Sequence, residues 1–238
     1  VIIVTSDKCY ANHEKESGYT EEDPMAGDDP YSASKGATEL LAAAYRRSFF
    51  SPELISTHGV KLATVRAGNA FGGGDWAKDR IVTDIIKALS SNVAIPVRHP
   101  DSVRPWQHVL EPVSGYLTLA SKMLESDDMK WCSAWNFGPL EAEVVSVRQL
   151  VEKFCKAWGS GSWKDCSNTK SFREANILRL NIDKATRELG WWPRWRLDQA
   201  VERTVRWYRN FYSGATSMRK ACEDDIVTYE EAPPQRDS

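Results

Sequence analysis

The chain opens on an unbroken apolar run, Val1-Ile-Ile-Val4, that stops at the polar quartet Thr5-Ser-Asp-Lys8. Such a run with a polar tip predicts a buried strand of a parallel sheet that delivers side chains at its carboxyl end. In open α/β sheets that end is where ligands bind. Residues 9–29 are polar and acidic, contain Gly18, Pro24 and Gly27, and read as a surface connection with solvated carboxylates. From Pro30 the period changes. Ala37, Leu40, Leu41 and Ala44 recur at helical spacing, Asp28 and Asp29 can cap, and Pro30 suits a first turn, so residues 30 to about 50 are expected to form an amphipathic helix.

Farther along, 60–66 reads as a second strand and 67–76 as a glycine-containing loop. A helix opening at Asp79-Arg80 carries Ile81, Ile85 and Leu89 on one face, 94–97 is a short strand, and a helix from Pro112 is expected to point Val113, Leu117, Ala120 and Leu124 inward. Residues 135–138 form a strand ending at a turn. Ser146 with Gln149 makes a capping box for a helix over 147–158. Residues 159–176 read as loop, 177–182 alternate as a strand, and Asp183 and Asp198 are expected to cap two further helices. The first ends at Leu189-Gly190, and the second carries Val201, Val205 and Tyr208 inward. From 218 the chain reads as a polar tail, with 232–238 expected to be disordered. Strand and helix patterns alternate, as in an α/β protein.

Composition narrows the class. With 42% hydrophobic and 27% charged residues the chain can build a sizeable core, and a net charge of -2 gives no bulk reason to bind nucleic acid or an anionic membrane. No apolar run is long enough to cross a bilayer, and no secretory leader pattern is present. Cys9, Cys132, Cys155, Cys166 and Cys222 are odd in number and form no C-x-x-C pair, which fits reduced thiols and a cytoplasmic location. No metal site stands out. Because it begins with Val inside an apolar strand, the chain is expected to be truncated at its N-terminus.

The candidate chemistry lies at the two ends of that first connection. Tyr31 and Lys35 stand one turn apart on a single helix face. A phenol is a poor base near neutral pH unless a cation beside it favours the phenolate, which Lys35 can supply. Taken alone, the same pair is also what an ordinary helix surface presents. Successive residues of a regular strand point to opposite faces, so the first strand must end or twist at Ser6 for Ser6, Asp7 and Lys8 to reach one ligand. Gly72-Gly-Gly-Asp-Trp76 lacks Gly-x-Gly-x-x-Gly spacing and is not a dinucleotide fingerprint.

Strand, polar tip, connection and Tyr-x-x-x-Lys helix resemble the extended branch of the short-chain dehydrogenase/reductase superfamily. Thr5-Ser-Asp-Lys-Cys-Tyr10, Asp29-Pro-Tyr-Ser-Ala-Ser-Lys35, Arg66-Ala-Gly-Asn69, Gly72-Gly-Gly-Asp-Trp76 and Arg104-Pro-Trp-Gln-His-Val109 are together similar to the CDP-glucose 4,6-dehydratases. The likeness runs from Val1 to about Tyr212. It implies the C-terminal part of a Rossmann-type parallel sheet fold with a smaller α+β substrate-binding lobe. Residues 1–70 would carry the second half of the NAD-binding domain, 71–217 the lobe interleaved with late Rossmann elements, and 218–238 a polar tail.

The resemblance also implies a reaction and its residues. With NAD as cofactor and CDP-glucose as substrate, Tyr31 takes the proton of the sugar 4-hydroxyl, Ser6 bonds the same oxygen, and Lys35 holds the tyrosinate and the nicotinamide ribose. The 4-ketone then acidifies carbon 5, Lys8 removes its proton, Asp7 protonates the departing 6-hydroxyl, and hydride returns to carbon 6. A lysine base has to be neutral, and Lys8 is alternatively a phosphate or carboxylate partner. Asn69, Arg80, Arg104 and Trp106 are expected around the nucleotide-sugar, with Arg104 on the diphosphate and the loop glycines close to the ligand. Arg173 stands where the family has a His. A homodimer through the Tyr31 helix is implied for the intact enzyme, as is deoxysugar synthesis for bacterial surface polysaccharide. The alternatives are another epimerase or dehydratase of the superfamily, and a sugar-nucleotide-binding fragment without a cofactor site.

Overall fold

The computed structural model describes residues 1–167 and 176–236, which places Arg173 outside the described residues. The first apolar run forms β1 (Ile2–Val4), and a single 3-10 turn, Asp7–Cys9, follows it at once. Helix α1 (Pro30–Ser48) starts on Asp29, whose carboxylate accepts from the backbone N–H groups of Tyr31 and Ser32 at 2.9 and 3.1 Å. The one-turn α2 (Ile55–His58) leads into β2 (Ala63–Ala67), which lies parallel to β1 with Ile3 opposite Thr64. Next come β3 (Ala70–Phe71), α3 (Ile81–Ser90), β4 (Ile95–Val97), β5 (Val103–Arg104) and β6 (Gln107–His108). Helix α4 (Leu110–Glu125) returns the chain to β7 (Ala134–Phe137), which pairs parallel with β2. The remaining elements are β8 (Val145–Ser146), α5 (Val147–Trp158), β9 (Trp163–Asp165), α6 (Leu197–Ser213) and α7 (Met218–Glu231).

The sheet order β1-β2-β7 is all parallel, and both its faces carry helices. Side chains alternate along β2: Ala63 and Val65 pack with Leu119 and Met123 of α4, while Thr64 and Arg66 bond Glu39 of α1 at 2.7 and 2.8 Å. This is the Rossmann-type arrangement expected. A second core lies among α3, α5 and α6, where Ile85, Ile86, Leu150, Phe154, Val201 and Tyr208 are almost completely buried. The Ser146–Gln149 capping box and the helix over 147–158 are both as expected, with reciprocal bonds of 3.3 and 2.9 Å.

Several expectations are corrected. β1 is half-exposed rather than buried, and among the described residues only β2 lies beside it. The 9–29 segment is not a purely solvated connection. Tyr10 and Tyr19 are buried and stack at 5.0 Å, and Glu21 accepts from the backbone N–H of Asn136 at 2.8 Å. In α1 the apolar stripe faces outward, with Leu40 and Leu41 about 60% exposed, and the buried face is Ser32, Gly36, Glu39 and Ala42. The cause is the polar strip of β2 beneath it. In α4 the stripe expected inward is outward too: Leu117 is 67% and Leu124 86% exposed. Gly115, Leu119 and Met123 point in instead, because Gly115 lets the Phe137 ring come so close that a Cβ there would lie 2.3 Å from it.

Residues 163–165, read as loop, form β9 beside β4, while 177–182 make only isolated bridges, at Ile177 and Leu180. Asp183 does not cap: Lys184 is the N-cap of a π-type turn, Ala185–Leu189, which closes on Gly190 at φ 72°. Asp198 lies inside the first turn of α6 and pairs with Lys153 at 2.5 Å, and Arg196 occupies the cap. The expected tail forms α7. Tyr229 of α7 is buried, Arg194 Nη1 donates to the carbonyls of Glu230 and Ala232, and the N–H of Gln235 donates to Pro193. Among the described residues no helix is long and apolar enough to cross a membrane.

Candidate active site

The carboxyl ends of the parallel strands open into a cleft of about 610 Å³. Its wall includes Ser6, Asp7, Lys8 and Tyr31 from the end of β1 and the start of α1, and Asn69, Arg80, Arg104 and Trp106 from the segments that follow β2. Of the nine residues singled out in the sequence, only Lys35 is not part of the wall. It stands behind Tyr31, with Nζ 5.6 Å from the ring centroid. Lys8 Nζ approaches the same ring at 6.0 Å. Neither ammonium group has a hydrogen bond or ion pair among the described residues, so both are available to a ligand.

The requirement that the strand end at Ser6 is met by the 3-10 turn. Ser6 is its extended N-cap and accepts from the N–H of Lys8 at 3.2 Å, and this reversal brings three consecutive side chains to one cleft. Ser6 Oγ donates to Asp7 Oδ1 at 2.9 Å, while the buried Oδ2 has no hydrogen-bond partner among the described residues. Burial pushes the Asp7 carboxyl up to about 6, against the lowering effects of Ser6, Lys8 and Arg104. A carboxyl in the wall of a cleft that holds a proton near neutrality is suited to give that proton away.

What fixes the turn against the helix is a buried polar network that the sequence reading missed. Glu39 lies one turn after Lys35 and accepts from Thr5 Oγ1, from Thr64 Oγ1 and from Arg66 Nη2. Arg66 Nη1 donates to Tyr10 OH at 2.8 Å, and Tyr10 donates to Asn136 Oδ1 at 2.7 Å. The signal was present: an Arg inside an apolar strand needs a buried partner, and Glu39 continues the i, i+4 series of Tyr31 and Lys35. Tyr116 of α4 also lines the cleft and was not anticipated. Its hydroxyl is pushed up by burial and by the nearby Asp7.

The side of the cleft built after β2 departs from expectation in detail. Arg104 is buried, and its Nη1 donates to the carbonyls of Val103 and Asn176 at 2.8 and 3.2 Å, so that nitrogen is already engaged by the protein. Arg80 pairs with Asp75 at 3.0 Å on the surface of the cleft. Trp106 is 5% exposed and its buried Nε1 has no hydrogen-bond partner among the described residues. The glycines of 72–74 do not approach the cleft. A Cβ at Gly73 would lie 2.1 Å from the Trp207 ring, so the loop is tight because α6 packs on it, whereas Gly68, pressed on Pro105, does line the cleft. Among the described residues no group of three or more His, Cys, Asp or Glu is placed to hold a metal ion.

Comparisons with known proteins agree with this architecture. A CDP-glucose 4,6-dehydratase of Salmonella typhimurium is 46% identical over 214 residues, which is 90% of this chain and 59% of that protein. A dTDP-glucose 4,6-dehydratase of Streptomyces antibioticus is 27% identical over 88% of this chain and 57% of its own. The chain thus spans somewhat under two thirds of the length of these curated relatives. Among solved structures, a dTDP-glucose 4,6-dehydratase from Streptomyces venezuelae with NAD and TYD bound superposes with a TM-score of 0.72 at 23% identity, covering 88% of this chain and 60% of that one. A Bacillus cereus UDP-glucuronic acid 4-epimerase complex with NAD gives 0.71 at 17%, over 89% and 62%. These two share the fold. The sequence model of the family described as GDP-mannose 4,6 dehydratase matches residues 1–204, and the chain belongs to that family.

Proposed function

We propose that this chain carries the catalytic and substrate-binding part of an NAD-dependent CDP-glucose 4,6-dehydratase. The observation that carries the reading is Asp7: a buried carboxyl raised to about 6, with a free oxygen, beside Ser6, Lys8 and Tyr31 in one cleft. Oxidation and reduction alone need only a Tyr with its cation. An added acid and base are what loss of water needs. The 46% identity to the Salmonella enzyme favours CDP-glucose over other nucleotide sugars.

Tyr31 and Lys35 fit the reactive end of NAD, since Lys35 stands beside the phenol with its ammonium unpaired among the described residues. The 238 residues contain no Gly-x-Gly-x-x-Gly sequence for the pyrophosphate, and no residue is assigned to it. NAD, when bound, accepts a hydride from the sugar and returns it. Tyr31 takes the proton of the 4-hydroxyl, and Ser6 orients that oxygen. Lys8 removes the carbon 5 proton once carbon 4 is a ketone, and Asp7 protonates the 6-hydroxyl so that it leaves as water. The product is CDP-4-keto-6-deoxyglucose. Asn69, Arg80, Arg104 and Trp106 hold the nucleotide-sugar. We place the enzyme in the cytoplasm as a homodimer, consistent with five unpaired thiols and with the exposed apolar face of α1.

The test is to incubate the protein with NAD and CDP-glucose and to follow the 4-keto-6-deoxy product by mass and by the absorbance that such ketones develop in alkali. Loss of water with no added reductant is expected, and Tyr31→Phe is expected to lower the rate by roughly 10²-fold or more. A carbon 4 epimer of unchanged mass would make the chain an epimerase instead. Tight CDP-glucose binding with no turnover would leave only the binding-fragment reading.

A further inference from the structure

The cleft has two ends of different chemistry. Ser6, Asp7, Lys8 and Tyr31 wall one end, and Asp79, Asp84, Pro96 and Arg98 wall another part. Those last four also wall an adjoining hollow of about 760 Å³ that contains none of the strand-tip residues. They therefore mark the end remote from Tyr31. With the reacting sugar at Tyr31, a nucleoside diphosphate sugar extended along the cleft lays its base at this remote end.

Two carboxylates stand there, and only one is occupied. Asp79 lies 3.7 Å from Arg98. Asp84, in the first turn of α3, makes no side-chain hydrogen bond and no ion pair among the described residues. Partial burial pushes its carboxyl above the ordinary range, Asp79 adds to this, and Lys87 and Arg98 oppose it. An ionised carboxylate only accepts hydrogen bonds. Cytosine offers its exocyclic 4-amino group as a donor at the position where uracil and thymine carry an oxygen acceptor. Facing a carboxylate, that oxygen finds no donor and a like partial charge.

We propose that Asp84 selects cytidine over uridine and thymidine nucleotides by accepting from the cytosine 4-amino group. This rests on the nucleotide-sugar reading above and adds to it the group that reads the base. A carboxylate partner also makes the choice pH-dependent. Protonated, Asp84 gains a donor and can serve the uracil oxygen, so discrimination falls as pH is lowered through the raised titration range of Asp84.

The experiment is calorimetric titration of the full chain with CDP, UDP and dTDP, for the wild type, Asp84→Asn and Asp84→Ala, with circular dichroism to check that each variant is folded. The wild type is expected to prefer CDP by about 10-fold or more, the range for a hydrogen bond to a charged group. Asp84→Asn, whose amide can present either an acceptor or a donor, is expected to bring CDP and UDP within about 3-fold. Asp84→Ala is expected to lose CDP affinity with UDP affinity unchanged or improved. Equal weakening of CDP and UDP in both variants, or an unchanged preference, overturns the role of Asp84. So does a wild type that binds CDP and UDP alike, although the nucleotide-sugar reading would then stand. A wild type that binds none of the three overturns both.

Discussion

At the scale of single residues the cleft is organised by what its side chains lack. Among the described residues Asp7 Oδ2 and the ammonium groups of Lys8 and Lys35 make no hydrogen bond or ion pair, whereas the neighbouring Glu39, Thr5, Thr64 and Arg66 are tied together through the Glu39 carboxylate. The second set holds the first in place. The sequence named every member of the first set, because a polar tip after an apolar run and an i, i+4 Tyr–Lys pair are local patterns. It missed Glu39, since a Glu on a helix reads as solvated until the strand beneath is known to present Arg66. If Asp7 is the acid, it works only while protonated, so kcat/KM is expected to fall as pH rises through about 6. Asp7→Asn is expected to remove that limb of the pH profile along with roughly 10²–10⁴-fold of the rate. A wild-type profile flat through this range would take Asp7 out of the mechanism.

At the scale of elements, α7 has a specific anchor. Glu111 at the start of α4 is buried and accepts from the N–H groups of Arg194 and Trp195, and Tyr229 of α7 donates to its Oε2 at 2.7 Å. Burial pushes the Glu111 carboxyl up to about 7. A folded-state value raised from 4.5 means that the protonated form is favoured by folding. That contribution is complete below about 4.5 and is lost as pH rises to about 7. In urea denaturation the wild type is therefore expected to lose of the order of 3 kcal/mol more than Glu111→Gln across this window. Parallel pH dependences in the two proteins would show that Glu111 titrates alike folded and unfolded. The polar composition of 218–231 hid this helix, because a few buried positions, Ala221, Asp225 and Tyr229, are enough to dock it on α6 and Glu111.

At the scale of the whole molecule, two helices turn apolar stripes to the surface: Leu40, Leu41 and Tyr45 on α1, and Leu117 and Leu124 on α4. Contiguous exposed apolar faces mark contact surfaces. If the α1 face joins two copies, Leu41→Lys is expected to shift the protein to monomers in sedimentation, leaving the helix formed. An unchanged sedimentation coefficient at matched concentration would place the interface elsewhere.

The sequence by itself determined the strands β1, β2 and β7, the capped helices over 30–48 and 147–158, and eight named residues that share one cleft wall, because period, caps and motif spacing act within a few residues of one another. Only the tertiary structure decided which face of α1 and α4 turns inward, that Asp7 keeps a free oxygen, that Glu39 and Arg66 pair, and that Asp84 stands at the far end of the cleft. Periodicity states that a helix has an apolar stripe. What that stripe meets depends on the strand beneath, and β2 presents Thr64 and Arg66 to α1, so the polar face is the one that is buried.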